Sequence, residues 1–308
     1  LLRVWTSDIS LLMAGKPAMA DATPELSGKP YRLTVTVGVA KRAFEIAGIE
    51  ERFPEDIGTL PSYDIDQLEE RWTGGDLILQ ICADDRMSVA HAMRELIKSA
   101  APFAQVKWIQ QGFVQHSATG ETPRNLMGQM DGTDNPKPET PEFAETVWNS
   151  GEKQEWFENG TMLVLRRIRM NLETWDKLSP KMQEEVIGRK RSTGAPLTGI
   201  IETDPADFTA KRDSEFVIAE DAHIRRASTD RNIFRRVYNF DDGYDDRGAN
   251  VGLLFAAFQS ELSQFTVIQE RLAQQDSLNT WTTPVGSAVF AVLPGATPGE
   301  WLGQSVFG

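Results

Sequence analysis

Between Asp76 and Ala83 the chain runs through Leu77, Ile78, Leu79, Gln80, Ile81 and Cys82, with one polar interruption. A nearly continuous apolar run of this length reads as a β-strand covered on both faces, which places it in the middle of a sheet. A chain holding such a strand must supply neighbours for both of its edges. The surrounding pattern offers them. Tyr31 to Val39 alternates and is rich in β-branched residues, and Gln105 to Val114 reads as a further strand. Helical spacing marks Trp5 to Ala14, Lys41 to Ala47, and Val89 to Ile97 with Ser88 as its N-cap.

The second half follows a similar order. Thr161 to Met170, Asn232 to Phe240, Gly252 to Phe258 and Ala288 to Leu293 read as strands. Ser179-Pro180 opens a helix to Ile187, with proline at its first position, and Leu262 to Leu272 is another helix. The expected fold class is α+β: two halves, 1–150 and 151–308, each an antiparallel sheet with helices on one face, joined within 120–160 into one integrated unit. No short-period repeat is present.

The 308 residues carry a formal net charge of −13, which argues against a nucleic-acid partner, since such binders show a basic face. No stretch approaches the roughly 20 apolar residues of a membrane span. The single cysteine, Cys82, excludes an intrachain disulfide and a thiolate metal cluster, and reads as a small core residue. No signal peptide is visible, and the start at Leu1-Leu2-Arg3 reads as a trimmed or mature form.

Among the three histidines, His91 sits mid-helix with a structural or solvent-facing role, and His116 follows a strand in a polar turn as a loop residue. His223 stands between the acids Glu220 and Asp221 and the arginines Arg225 and Arg226, a setting that suits ligation and structure equally. HExxH, P-loop, GxSxG and GxGxxG patterns are absent. Asp131, Thr133, Asn135 and Glu142 have calcium-loop spacing, but Pro136 stands where an EF-hand needs glycine. The run Asp241 to Asp246 reads as a solvated hairpin loop.

One turn-like stretch, Met127-Gly128-Gln129-Met130-Asp131-Gly132-Thr133-Asp134-Asn135-Pro136, carries GxxDG followed by TDNP. Downstream come Ile187-Gly188-Arg189, Gly194-Ala195-Pro196-Leu197, His223-Ile224-Arg225, Arg235-Arg236-Val237-Tyr238 and Gly252-Leu253-Leu254-Phe255. In this order the set resembles the dye-decolorising (DyP-type) haem peroxidases, over most of the chain. The resemblance implies two ferredoxin-like halves in a dimeric α+β barrel-like arrangement, haem b between sheet and helices, and an enzyme that reduces hydrogen peroxide while oxidising organic donors such as dyes and phenols in one-electron steps. It assigns His223 as proximal iron ligand, Asp131 as distal acid–base residue and Arg235 as distal arginine. Arg189 would pair with a haem propionate. The backbone of Gly132, Thr133, Asp134 and Asn135 would line the haem edge, and Leu254 and Phe255 would wall the distal pocket.

The chemistry of these residue types suits those roles. Imidazole is a normal axial ligand, and a carboxylate near its second nitrogen strengthens it; Glu261 is a candidate for that partner. A carboxylate can move the peroxide proton, and a fixed cation keeps that carboxylate ionised. Strand alternation puts Ile233, Arg235, Val237 and Asn239 on one face and Phe234, Arg236, Tyr238 and Phe240 on the other, so one arginine of the pair can face a haem. Arg166, Arg167 and Arg169 read as ordinary strand or surface charges, and Tyr238 and Trp281 as candidates for passing electrons to bulky donors. The resemblance is to the exported branch, sent out folded by the twin-arginine route, with a cytoplasmic location as the other option. That branch includes deferrochelatase-like proteins of iron acquisition, which keeps haem binding with incidental peroxidase activity as the second reading. A homo-oligomer is left open.

Overall fold

The computed structural model describes residues 1–54, 57–115 and 120–308, so His116 lies outside the described residues. The strands are β1 (Thr34–Val39), β2 (Leu77–Cys82), β3 (Thr161–Met170), β4 (Lys211–Arg212), β5 (Glu215–Phe216), β6 (Phe234–Arg235), β7 (Tyr238–Asp245), β8 (Gly248–Gln259) and β9 (Thr282–Val292). The helices are α1 (Leu2–Met13), α2 (Lys41–Ala47), α3 (Arg86–Ala100), α4 (Pro141–Val147), α5 (Leu172–Trp175), α6 (Pro180–Ile187), α7 (His223–Ala227), α8 (Leu262–Gln275) and α9 (Gln304–Phe307). None of the described helices is long and apolar enough to cross a membrane.

The fold is α+β. One antiparallel sheet runs β2-β1-β9-β3-β8, with β6 and β7 following one another along the far edge of β8. Strands of both halves of the chain join in it, because β9 lies between β1 and β3. Alternation gives the sheet two apolar faces. On one, Val37, Val164 and Ala257 pack against the helices through Leu12, Leu96 and Phe265. On the other, Leu163, Leu165, Ala256, Phe258 and Phe290 form a separate core joined by Ile78 and Trp108. Each fully buried large side chain contributes about 1.5–3 kcal/mol, so both faces are structural.

Several elements differ from the sequence expectation. The first strand begins at Thr34, because Tyr31 and Arg32 take left-handed backbone angles (φ 45° and 55°) that break the extended run. The N-cap of α3 is Asp85, whose carboxylate accepts the Ser88 N–H at 2.9 Å. The run Asp241 to Asp246 is mostly strand, with β7 reaching Asp245 after a bulge. Arg166 and Arg167 are buried. Arg166 pairs with Asp66 and donates to Ser287 Oγ at 3.1 Å. Arg167 binds Gln110, Asp242 and Asn250 and lies against the rings of Trp72 and Phe240. His91 is buried too, with Nε2 3.1 Å from Asp21, which fits a structural role.

The largest departure concerns β2. It pairs with β1 on one side and has no ladder on the other among the described residues, so the strand expected at the centre is an edge. Among the described residues the expected strand 105–114 forms one bridge, Phe113 with Asn239 of β7.

Candidate functional site

The GxxDG loop is held from three directions. The indole N–H of Trp175 donates to the Met127 carbonyl at 3.1 Å. Asn239 accepts the Leu126 N–H at 3.0 Å. Arg124 donates to the Gly128 carbonyl at 2.7 Å. Gly128 and Gly132 adopt φ of 80° and 133°, angles that other residues avoid, and so allow the tight reversal around Asp131. The Asp131 carboxylate emerges partly buried, 3.3 Å from Arg235 Nη1 and 3.3 Å from Asn125 Nδ2. Both contacts are long, which leaves acceptor capacity on the carboxylate.

Arg235 owes its direction to register. It lies opposite Ala257 on β8, and opposed residues share a face. That is the helix-covered face of Ile233, Ala257 and Phe255, whereas Phe234 opposes Phe258 on the other. Asn135 fixes the arginine further: its side-chain amide accepts the Arg235 N–H at 3.0 Å and donates to the Arg235 carbonyl at 2.8 Å. A side chain of the TDN turn thus replaces the strand neighbour that β6 lacks. Beyond its contact with Asp131, the Arg235 guanidinium has no bonded partner among the described residues. Arg236 lies on the far face with Tyr238.

His223 begins α7. Arg226 donates to the Arg271 carbonyl at 3.0 and 3.1 Å, and Arg271 donates back to the Arg226 and Arg225 carbonyls, clamping α7 to α8. Gly188, left-handed at φ 90°, lets the end of α6 abut α7, since a Cβ there would stand 2.7 Å from Ile224. His223 Nδ1 lies 2.7 Å from Asp276 Oδ2, and its Nε2 has no bond among the described residues. Burial pushes the imidazole pKa down, but the Asp276 carboxylate outweighs it, and the net shift is upward from 6.5. Asp131 and Arg235 bias the same ring in opposite senses, so the three groups lie within electrostatic reach of one another.

Asp276, rather than Glu261, is therefore the partner of His223. Glu261 is occupied in a capping box with Gln264 at the start of α8. Sequence reasoning missed Asp276 because its only local signal is that of a turn residue, and its other oxygen does accept the Leu278 N–H at 2.9 Å. It missed Glu202 as well, whose carboxylate accepts from Thr122 and from Thr133 at 2.7 Å and whose carbonyl accepts from Arg189 at 2.9 Å. Arg189 stands near Asp134 and Arg235, its pKa lowered by burial against the pull of Asp134 and Glu202.

Phe255 shares the face of Arg235 and packs against Phe265 with the two rings tilted at 54°. Leu254 does not. Alternation turns it to the opposite face with Leu165 and Trp108, so the two residues expected as joint walls point apart. Tyr238 also lies on that far face, its hydroxyl 3.2 Å from Cys82 Sγ, and burial pushes its pKa up to about 12. Trp281 is half-buried, edge-to-face with Trp175 at 5.4 Å.

The chain matches known proteins along most of its length. Residues 1–114 match the family model "Dyp-type peroxidase, N-terminal", and residues 122–297 match "Dyp-type peroxidase, C-terminal". The chain belongs to the Dyp-type peroxidases. It is 40% identical to a dye-decolorizing peroxidase of Thermobifida fusca, covering 99% of this chain and 74% of the relative. A deferrochelatase of Yersinia pseudotuberculosis is 37% identical over 90% of this chain and 67% of its own length. The crystal structure of a DyP-type peroxidase from Cellulomonas bogoriensis superposes with a TM-score of 0.96 at 45% identity, covering 99% of this chain and 87% of that one. One from Streptomyces coelicolor gives 0.95 at 37%, covering 99% and 86%. The protein is a haem peroxidase of this family, and its donor set fits that group: a histidine with one nitrogen tied to a carboxylate and the other free.

Proposed function

We propose that His223 Nε2 would hold the haem iron, and that Asp131 and Arg235 handle hydrogen peroxide while organic donors are oxidised in one-electron steps. The observation that carries this reading is that His223, backed by Asp276, lies within electrostatic reach of the bonded Asp131–Arg235 pair. Haem, when bound, supplies the redox chemistry.

The chain's own residues do the rest. Asp276 accepts the Nδ1 proton of His223, which fixes the tautomer and leaves Nε2 as the ligand atom. Asp131 takes the proton from one peroxide oxygen and delivers it to the other, so that the leaving oxygen departs as water. The Arg235 guanidinium, with donors to spare, neutralises the negative charge that gathers on that oxygen. Among the described residues Arg189 has only Nη1 bonded, to the Gly194 and Glu202 carbonyls, and its remaining donors would suit a haem propionate. The Gly132 to Asn135 turn contributes by position, held through Thr133 and Asn135.

The test is the visible spectrum of the haem-loaded protein before and after one equivalent of hydrogen peroxide, on the parent, Asp131→Ala and His223→Ala. The parent should show a Soret band that peroxide shifts and a phenolic donor restores. Asp131→Ala should keep the band and lose about 10²–10⁴ in peroxide turnover. His223→Ala should weaken haem binding or alter the ligation spectrum. An unchanged rate in Asp131→Ala, or an unchanged spectrum in His223→Ala, removes that residue from its role. A Soret band indifferent to peroxide, with metal-free porphyrin appearing under reduction, would favour the deferrochelatase reading instead.

A further inference from the structure

Away from the haem-facing residues, three titratable side chains meet beside α3. His91 and Glu95 stand four residues apart on that helix, a spacing that puts both on one face. Both are buried, at 4% and 2% exposure. Asp21 reaches them from the segment between α1 and β1, its side chain wholly shielded from water. His91 Nε2 lies 3.1 Å from Asp21 Oδ2 and 3.2 Å from Oδ1. One donor atom from each of the three residues fits within a span of 4.8 Å.

Two carboxylates this close in a dry setting repel one another unless a cation joins them. Asp21 is oriented and ionised. Burial pushes its pKa up, but the Thr23 N–H at 2.8 Å, the Ser27 hydroxyl at 2.9 Å and His91 outweigh burial and hold it below 3.8. Each carboxylate oxygen has two lone pairs, so these bonds fix the group and leave acceptor sites toward His91. Glu95 is served differently. Its Oε2 is shut off from water and accepts no hydrogen bond of proper geometry among the described residues. The cations around it are Lys98, whose ammonium lies against Oε2, and Arg94, with Nε 3.5 Å from Oε1. Lys98 also donates to the Ala20 carbonyl at 2.6 Å and is 42% exposed on its side chain. Its ammonium therefore stands at the mouth of the cluster, on a stem long enough to swing into solvent.

We propose that Asp21, His91 and Glu95 bind a divalent first-row transition-metal ion, Zn²⁺ by preference, with the Lys98 ammonium as the cation that competes for Glu95. One imidazole and two carboxylates suit Zn²⁺, whereas Ca²⁺ and Mg²⁺ take oxygen ligands. Bonds of about 2.0–2.2 Å to zinc set neighbouring donor atoms roughly 3.0–3.6 Å apart. His91 and Asp21 already stand at 3.1 Å, and Glu95 closes the rest of the span when it leaves Lys98. The charge of the ion balances the two carboxylates with the imidazole neutral, and the mouth vacated by Lys98 is both the way in and the place for a water ligand. The bound ion would pin residues 14–33 to α3, joining two elements that the sequence keeps about 70 residues apart.

The test treats the haem-loaded protein with a chelator, so that the haem site stays filled, and titrates it with Zn²⁺. Uptake is read by equilibrium dialysis with metal analysis, and its place by amide exchange. The parent should take up one Zn²⁺ per chain, and exchange should slow at 18–27 and 88–98 together. Asp21→Asn and Glu95→Gln should each weaken uptake at least about tenfold. Lys98→Gln, at a half-exposed position that tests the idea even if the buried variants do not fold, should tighten uptake about two- to fivefold. A parent that takes up no Zn²⁺ overturns the proposal, and the cluster is then an ion-paired strut. So does uptake that neither Glu95→Gln nor Lys98→Gln changes, or that leaves exchange at 18–27 unaltered, because the ion then sits elsewhere.

Discussion

Arg166 and Arg235 are both partly or wholly withdrawn from water, yet they are held in opposite ways. Arg166 is 2% exposed, paired with Asp66, bonded to Ser287 and near the ring of Tyr63. Its neighbour Arg167 binds three side chains and two aromatic faces. Among the described residues Arg235 makes one 3.3 Å side-chain contact, while its backbone is gripped twice by Asn135. A guanidinium engaged by several side chains stabilises the fold, even though the buried Nε of Arg166 has no partner among the described residues. One whose backbone is fixed and whose donors are free can meet a ligand. The number of side-chain partners, more than burial, separates the two structural arginines from the one placed to meet a ligand.

Four measurements would break or sharpen this contrast. Asp66→Ala should have the largest effect, since it leaves the Arg166 charge buried and unpaired. The expected loss is about 3–5 kcal/mol by urea denaturation, with peroxide turnover per folded molecule unchanged. Arg235→Ala should do the converse. Turnover should fall by about 10²–10³ in steady-state peroxide kinetics, with the denaturation midpoint nearly unmoved. If Arg235→Ala unfolds the protein and Asp66→Ala leaves it stable, the division is wrong.

Asp276→Asn comes next. The His223 ring would lose the carboxylate that opposes burial, and haem affinity or turnover should drop about 10–100-fold. The imidazole pKa of the haem-free protein, read by NMR, should fall at the same time, which a purely structural role would not require. The parent's contribution from this pair has a definite sign. A pKa raised above 6.5 gives stability that is complete below 6.5 and lost as pH rises through the folded value.

The smallest effect is expected at Asp245, where Arg169 donates twice at 2.8 Å and holds the carboxyl pKa down at about 2. A lowered pKa means stabilisation present above the ordinary 3.8 and lost as pH falls through about 2. The stability gap between the parent and Asp245→Asn should be constant above about pH 4 and vanish near pH 2. A gap that persists at pH 2 would mean that the pair acts through packing.

These contrasts also show what the sequence could convey. The Asp131 loop was legible because its needs are local: glycines for the reversal, a carboxylate and an asparagine beside it. The difference between Arg235 and Arg236 was legible only as alternation, and the register of β6 on β8 puts Arg235 on the helix-covered face. The same register separates Leu254 from Phe255, a distinction that two adjacent apolar letters do not carry. Asp276 was invisible because its meeting with His223 depends on how α7 docks on α8. β2 was read as central from composition, and its composition still says so where the described sheet ends.

The double grip of Asn135 on Arg235 has a mechanical side. From Asp131 the chain runs four residues to Asn135, crosses to the Arg235 backbone, follows that side chain and returns to Asp131. The acid and the cation thus belong to one small closed linkage. Any force that lifts the loop carries Arg235 along and preserves the gap between the two groups. A donor or a bulky haem substituent that jostles this turn would shift the pair as a rigid unit, and the spacing that suits two peroxide oxygens would survive motions that alter the pocket around it.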